Sequence, residues 1–188
     1  MKKGLLALLL AVALVAPVFA ADQGAMELDI KAGFNLMSNV DIDGYDSDVD
    51  PAFTAGVDFF YYVMPQLAIG AGVSYIFNSD VKDTPVKAGW TNLYAQAKYV
   101  FETGNDIFNN VYPLVQLGYG MLRIDPDDGV DPESGLYWGI GAGTTINKCV
   151  VLELLYSNTN GKLKPGGPVS VDIKYSTLQL KVGYKFSF

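Results

Sequence analysis

From Glu27 onward, apolar and polar residues alternate with period two in stretch after stretch, and Gly, Pro, Asn and Asp cluster between the stretches. That is the pattern of half-buried β-strands. Eight such stretches are predicted: Glu27–Met37, Ala52–Tyr62, Leu67–Phe77, Thr91–Phe101, Val111–Leu122, Leu136–Ile146, Val150–Ser157 and Val171–Phe188. No segment carries a helical period. Each strand has one apolar row, for example Leu28, Ile30, Ala32, Phe34 and Leu36, or Leu178, Leu180, Val182, Tyr184, Phe186 and Phe188. In the last strand Val171, Ile173 and Tyr175 stand on the opposite parity, which predicts a bulge near Ser176 and Thr177.

Alternation alone does not say whether the apolar row faces a core or lipid, because a soluble barrel filled with apolar side chains has the same period. The companion row separates the two. It interleaves Gly33, Gly56, Gly70, Gly72, Gly118, Gly139, Gly141 and Gly183 with Lys31, Asp58, Gln96, Lys98, Gln116, Glu153, Gln179 and Lys181. Glycine is a poor choice for a solvent-facing strand, but it makes room in a narrow interior that must also hold polar side chains. The rings of the apolar row are also sorted by height. Tyr61, Tyr99, Phe101, Tyr184 and Phe186 fall toward one end of the strands, and Tyr75, Phe77, Tyr119, Trp138 and Tyr156 toward the other. Two aromatic girdles about an apolar band are what a bilayer selects.

Connection lengths alternate in the same sense. Long connections follow the first, third, fifth and seventh strands, while "VMPQ" and "NKC" are tight turns and "ETGNDIFNN" is intermediate. Short periplasmic turns and long exterior loops are the rule for bacterial outer-membrane barrels. The N-terminus agrees: "MKK" followed by "GLLALLLAVALVAP" and Val18-Phe19-Ala20 has the layout of a secretory signal. The expected division is a signal peptide over 1–20, cleaved after Ala20, and a barrel domain over 21–188. The fold class is therefore all-β, an eight-stranded antiparallel up-and-down transmembrane barrel.

"LAIGAGVSYIF", "VYPLVQLGYGML", "LYWGIGAGTTINKCVVLELLYS" and "LQLKVGYKFSF" carry a family likeness. They resemble the small outer-membrane barrel superfamily that includes the transmembrane domain of outer-membrane protein A and the outer-membrane protein X and Ail-type proteins. The resemblance implies insertion in the outer membrane of a diderm bacterium, with lipid and lipopolysaccharide as surroundings. It also implies that Tyr184, Phe186 and Phe188 form a terminal signal for the barrel assembly machinery. No peptidoglycan-binding segment is recognised after the barrel, so cell-wall anchoring is not expected.

Composition narrows the chemistry. The chain has a net charge of −7, and loss of Lys2 and Lys3 with the signal would make it more acidic, which disfavours nucleic acid as a partner. There is no histidine, whereas the barrel hydrolases resemble one another in using one, so catalysis is not expected. Cys149 is the single cysteine and reads as an inert thiol in a turn. Lys31, Asp58, Gln96, Lys98, Gln116, Glu153, Gln179 and Lys181 are expected to form a polar network in the lumen, either bracing it shut or lining a narrow path for small or apolar solutes.

"DIDGYDSDVDP" makes Asp41, Asp43, Asp46, Asp48 and Asp50 candidate calcium ligands, the one cofactor considered. The EF-hand template fails in either register: Gly44 comes too early, and Pro51 stands where glycine is needed. A second acidic stretch holds Asp125, Asp127, Asp128, Asp131 and Glu133. The competing reading is that these acids only keep exterior loops solvated. Lys162 and Lys164 in the fourth loop are candidate contacts for lipopolysaccharide phosphates. The expected role is structural or surface-interacting, adhesin-like, through four exterior loops that meet an extracellular ligand, with a narrow channel as the alternative.

Overall fold

The computed structural model describes residues 22–42, 44–80, 87–125, 130–165 and 171–188. The expected signal peptide lies outside them. Among the described residues there are eleven strands: β1 (Met26–Ile42), β2 (Tyr45–Asp48), β3 (Phe53–Met64), β4 (Leu67–Asp80), β5 (Lys87–Tyr99), β6 (Phe101–Glu102), β7 (Phe108–Asp125), β8 (Val130–Glu133), β9 (Gly135–Ile146), β10 (Val150–Pro165) and β11 (Val171–Ser187). Eight of them, β1, β3, β4, β5, β7, β9, β10 and β11, pair antiparallel in sequence order, and β11 returns to pair with β1. The ring is closed, so every long strand has two partners and no edge is left open. Phe188 completes the seam: its N–H donates to the Met26 carbonyl at 3.0 Å, and the Met26 N–H donates to the Phe188 carbonyl at 2.9 Å.

The barrel is inside-out relative to a soluble protein. Ile30, Phe34, Leu117, Ile140 and Val182, all from the apolar rows, are more than half exposed. Meanwhile Asp58, Gln179, Asn35 and Asn92 are fully buried. So large an apolar exterior would drive association in water; in hydrocarbon it is the required surface, because a closed sheet satisfies its own backbone hydrogen bonds.

The strands extend further toward the long-loop end than the alternation suggests, and three departures follow. First, β1 and β2 form a hairpin with Ile42 opposite Tyr45, and Gly44 stands in its turn. Gly44 takes φ +89° there, which explains the glycine. Second, β8 pairs with the extension of β10, setting Lys162 opposite Glu133 and Lys164 opposite Asp131 in the backbone register. Third, the expected bulge near Ser176 and Thr177 is absent. The register between β10 and β11 runs unbroken from Val150↔Tyr184 to Leu163↔Val171, and the irregularity falls on β1, between Asn35 and Met37. Ile173 and Tyr175 keep the inward parity of Thr177, Gln179 and Lys181. The interior changes from polar to apolar along the strand, and that change mimics a parity flip in the sequence.

Candidate functional site

The interior holds two apolar clusters and the polar network that runs through it. At the long-loop end Val40, Ile76, Trp90, Leu122, Ile173 and Tyr175 pack with Val49 and Ala52, which the β2–β3 connection folds back into the mouth. Trp90 and Tyr175 stack with ring centroids 5.8 Å apart. That connection is tied down where it enters, because the Val49 N–H donates to the Ser38 carbonyl at 3.0 Å and the Ser79 hydroxyl to the Asp50 carbonyl at 2.6 Å. At the short-turn end Phe60, Tyr62, Ala68, Val100, Tyr112, Leu114, Val151 and Leu155 form a second cluster.

Lys31 organises the central charges. Its ammonium donates to Glu153 Oε2 at 2.8 Å and also pairs with Asp58. Three strands contribute, with β11 lying between Lys31 and Glu153. Gly183 is the β11 residue in register with Lys31, and a Cβ there would stand 2.5 Å from Lys31 Cγ. The glycine thus leaves the corridor along which the lysine reaches β10. Gly72 does the same for Asp58: Tyr94 passes over it to donate its hydroxyl to Asp58 Oδ1 at 2.8 Å, and a Cβ on Gly72 would meet the Tyr94 ring at 2.6 Å.

A second ionic group involves Lys98, which pairs with Glu27 and lies 4.0 Å from Asp29. Tyr62 donates to the same Glu27 carboxylate at 3.0 Å. Lys98 also sits 3.9 Å over the Phe60 ring, a cation–π contact in a desolvated place. Between the charged groups, Gln116 donates to Gln96 at 3.0 Å and Tyr137 to Gln116 at 2.6 Å, and Gln179 donates to the Ser157 hydroxyl at 3.3 Å.

All eight expected lumen residues, Lys31, Asp58, Gln96, Lys98, Gln116, Glu153, Gln179 and Lys181, are buried inside. Lys181 differs from the other two lysines. It stands opposite Glu153 in the β10–β11 register, yet makes no ion pair within 4 Å among the described residues. Tyr94, Tyr112 and Tyr137 also belong to the interior, as do Glu27 and Asp29, two carboxylates that were not anticipated and whose parity along the strand was the available signal. The girdle residues Tyr61, Tyr75, Tyr99, Tyr119, Trp138 and Tyr156, and the terminal Tyr184, Phe186 and Phe188, all point outward. Trp138 and Tyr156 are in contact, with centroids 5.7 Å apart.

The acidic exterior stretch is a hairpin rather than a loop. Asp41 Oδ1 accepts the Gly44 N–H at 2.9 Å, and Asp41 stands opposite Asp46, with Asp48 opposite Asn39. Asp43 lies outside the described residues, as do Asp127 and Asp128 of the second acidic stretch. Among the described residues no three Asp, Glu or Cys side chains converge to hold a metal ion. Lys162 is engaged by Asp172 at 3.6 Å across the β10–β11 hairpin. Cys149 lies in the turn between β9 and β10, half-buried, its N–H donating to the Ile146 carbonyl at 3.2 Å.

Comparison with known proteins agrees with this geometry. The family model described as outer membrane protein beta-barrel domain matches residues 5–186. Among solved structures, Neisserial surface protein A is similar at 17% identity, over 87% of this chain and 99% of that one, with a TM-score of 0.58. The Ail attachment invasion locus protein of Yersinia pestis has 17% identity over 87% and 99% of the two chains and a TM-score of 0.48. OprG of Pseudomonas aeruginosa has 13% identity over 90% and 99%, also with a TM-score of 0.48. At 17% identity the likeness to Neisserial surface protein A speaks to the fold alone. No curated protein matches the chain.

Proposed function

Because the chain belongs to the outer-membrane protein β-barrel domain family, and is an outer-membrane barrel, we propose that it is a closed, non-catalytic barrel acting at the cell surface. Its role is structural or adhesin-like, carried by the four exterior connections. Residues 1–20 direct export, and Tyr184, Phe186 and Phe188, which line the outward face at the closing seam, are read by the assembly machinery. Lipopolysaccharide surrounds the exterior half.

One observation supports the closed reading: among the described residues, packed side chains lie at both ends of the interior and in its middle. Trp90 and Tyr175 stack beneath the long-loop mouth, Lys31 ties β1 to β3 and β10, and Phe60 and Tyr112 pack at the other end. A barrel of eight strands encloses a space that side chains can fill. The sequence has no histidine to serve as a general base, which supports a non-catalytic role.

Single-channel recording of the refolded full chain in planar bilayers tests the reading, with liposome swelling as a parallel measure. Background conductance is expected. Reproducible steps in the unmodified protein would replace the closed barrel with a narrow channel. For the surface role, cells bearing the protein are compared with cells bearing loop-trimmed variants. Attachment that falls on trimming supports the adhesin-like form, and unchanged attachment leaves the structural one.

A further inference from the structure

One cation on the outward face lies against the barrel wall. Arg123, the only arginine in the sequence, lies on β7 with outward parity, between buried Leu122 and the strand's end. Its guanidinium does not stand away from the barrel. It crosses β5 sideways to β4, where it lies 3.8 Å from the Tyr75 ring centroid. Nη1 donates to the Tyr75 hydroxyl, and Nη2 donates to the Ile76 carbonyl at 3.0 Å.

The crossing is open because the β5 residue in register with Arg123 is Gly89. A Cβ at Gly89 would come within 3.1 Å of Arg123 Nη2 and 3.0 Å of the Ile76 oxygen, and would clash with the Asn78 side-chain oxygen. Tyr75 in turn abuts Phe77 at 4.8 Å, and the row continues through Phe53 to Phe34 at 5.3 and 5.5 Å. A fixed cation therefore sits at the upper edge of the outward aromatic row.

Two lysines at this end have carboxylate partners, Lys87 with Asp80 at 3.5 Å and Lys162 with Asp172 at 3.6 Å. Arg123 has none within 4 Å among the described residues. A guanidinium has five N–H donors in a planar fork suited to phosphate; here Nε is buried without a partner, and Nη1 and Nη2 each keep a second N–H beyond their bonds to Tyr75 and Ile76. At the border of the hydrocarbon, the anion chemistry within reach is that of lipid headgroups. We propose that Arg123, held on Tyr75 above Gly89, is a binding site for the phosphate of an anionic outer-leaflet lipid.

The single arginine makes the test direct, since its side-chain Nε–H gives one NMR resonance. The full chain is refolded into nanodiscs of phosphatidylcholine alone, with bis-phosphorylated lipid A, or with dephosphorylated lipid A. Inorganic phosphate is added to the first in a fourth arm. The resonance is expected to move with the bis-phosphorylated lipid and stay in place in the other arms. In native mass spectrometry, Arg123→Gln is expected to retain that lipid roughly fivefold less, the effect of one basic residue at a membrane surface. Gly89→Ala, which keeps the charge but closes the crossing, is expected to weaken retention in the same direction. Heat-modifiable migration checks that each variant is folded. An unmoved resonance with bis-phosphorylated lipid A overturns the site, as does equal movement with dephosphorylated lipid A. Equal movement with inorganic phosphate marks an adventitious ion only and overturns the lipid assignment.

Discussion

Lys31 and Glu153, 122 residues apart and separated by strand β11, are joined by a 2.8 Å hydrogen bond in which the lysine ammonium donates. The same ammonium pairs with Asp58, so one cation holds two buried carboxylates on opposite sides of it. Removing it leaves both anions without their shared partner in a desolvated place. Lys31→Met is therefore expected to destabilise the barrel by about 3–5 kcal/mol. Lys181→Met, which removes a buried cation lacking an ion pair, is expected to be neutral or stabilising. Urea unfolding of the refolded proteins in lipid measures both, and Lys31→Met with Asp58→Asn and Glu153→Gln should recover much of the loss.

The second prediction concerns the space that a missing side chain leaves. A Cβ on Gly72 would meet atoms of two side chains, Asp58 and Tyr94, rather than backbone. Gly72→Ala is expected to cost about 1–3 kcal/mol, as overpacking does. In a Tyr94→Ala background the penalty should shrink, because the ring has gone. A double-mutant cycle read by unfolding in lipid measures the coupling. Additive costs would mean that the ring does not lie over Gly72.

These two sites show where the sequence was readable. The inward placement of Gly72, Asp58 and Lys31 follows from the period-two pattern, since one parity is apolar throughout the strand middles. Which lysine would pair with which carboxylate was not legible. Lys181 is opposite Glu153 in register, but Glu153 is taken by Lys31 from two strands away, an arrangement set by the stagger of the closed ring and the gap at Gly183. The misplaced bulge has a related cause. Ile173 and Tyr175 are apolar because they join the cluster under the mouth, and hydrophobicity alone cannot distinguish that from a turn toward lipid.

The acidic hairpin gives the third prediction. The Asp41 carboxylate already accepts the Gly44 N–H, and among the described residues no three acidic side chains converge on one point. Calorimetric titration with calcium is expected to give indistinguishable heats for the unmodified protein and for Asp43→Asn/Asp46→Asn/Asp48→Asn. A heat of binding lost in the triple variant would establish the ion site instead.

The two tryptophans report on the two faces of the wall, and so test the orientation on which the rest depends. Trp90 is 1% exposed and packs against Tyr175 in the interior, while Trp138 is 37% exposed on the outside beside Tyr156. In a bilayer the exposed ring meets acyl chains near the interface, where tryptophan is favoured. Single-tryptophan proteins made by Trp90→Phe or Trp138→Phe separate the signals. With brominated lipids, Trp138 fluorescence should be strongly quenched and Trp90 fluorescence nearly untouched. Aqueous acrylamide should also leave Trp90 bright, because Val49 and Ala52 belong to the cluster that covers it. Quenching of Trp90 by acrylamide in the unmodified mouth would mean that water enters the lumen past the stacked rings, and the closed barrel would then give way to the channel.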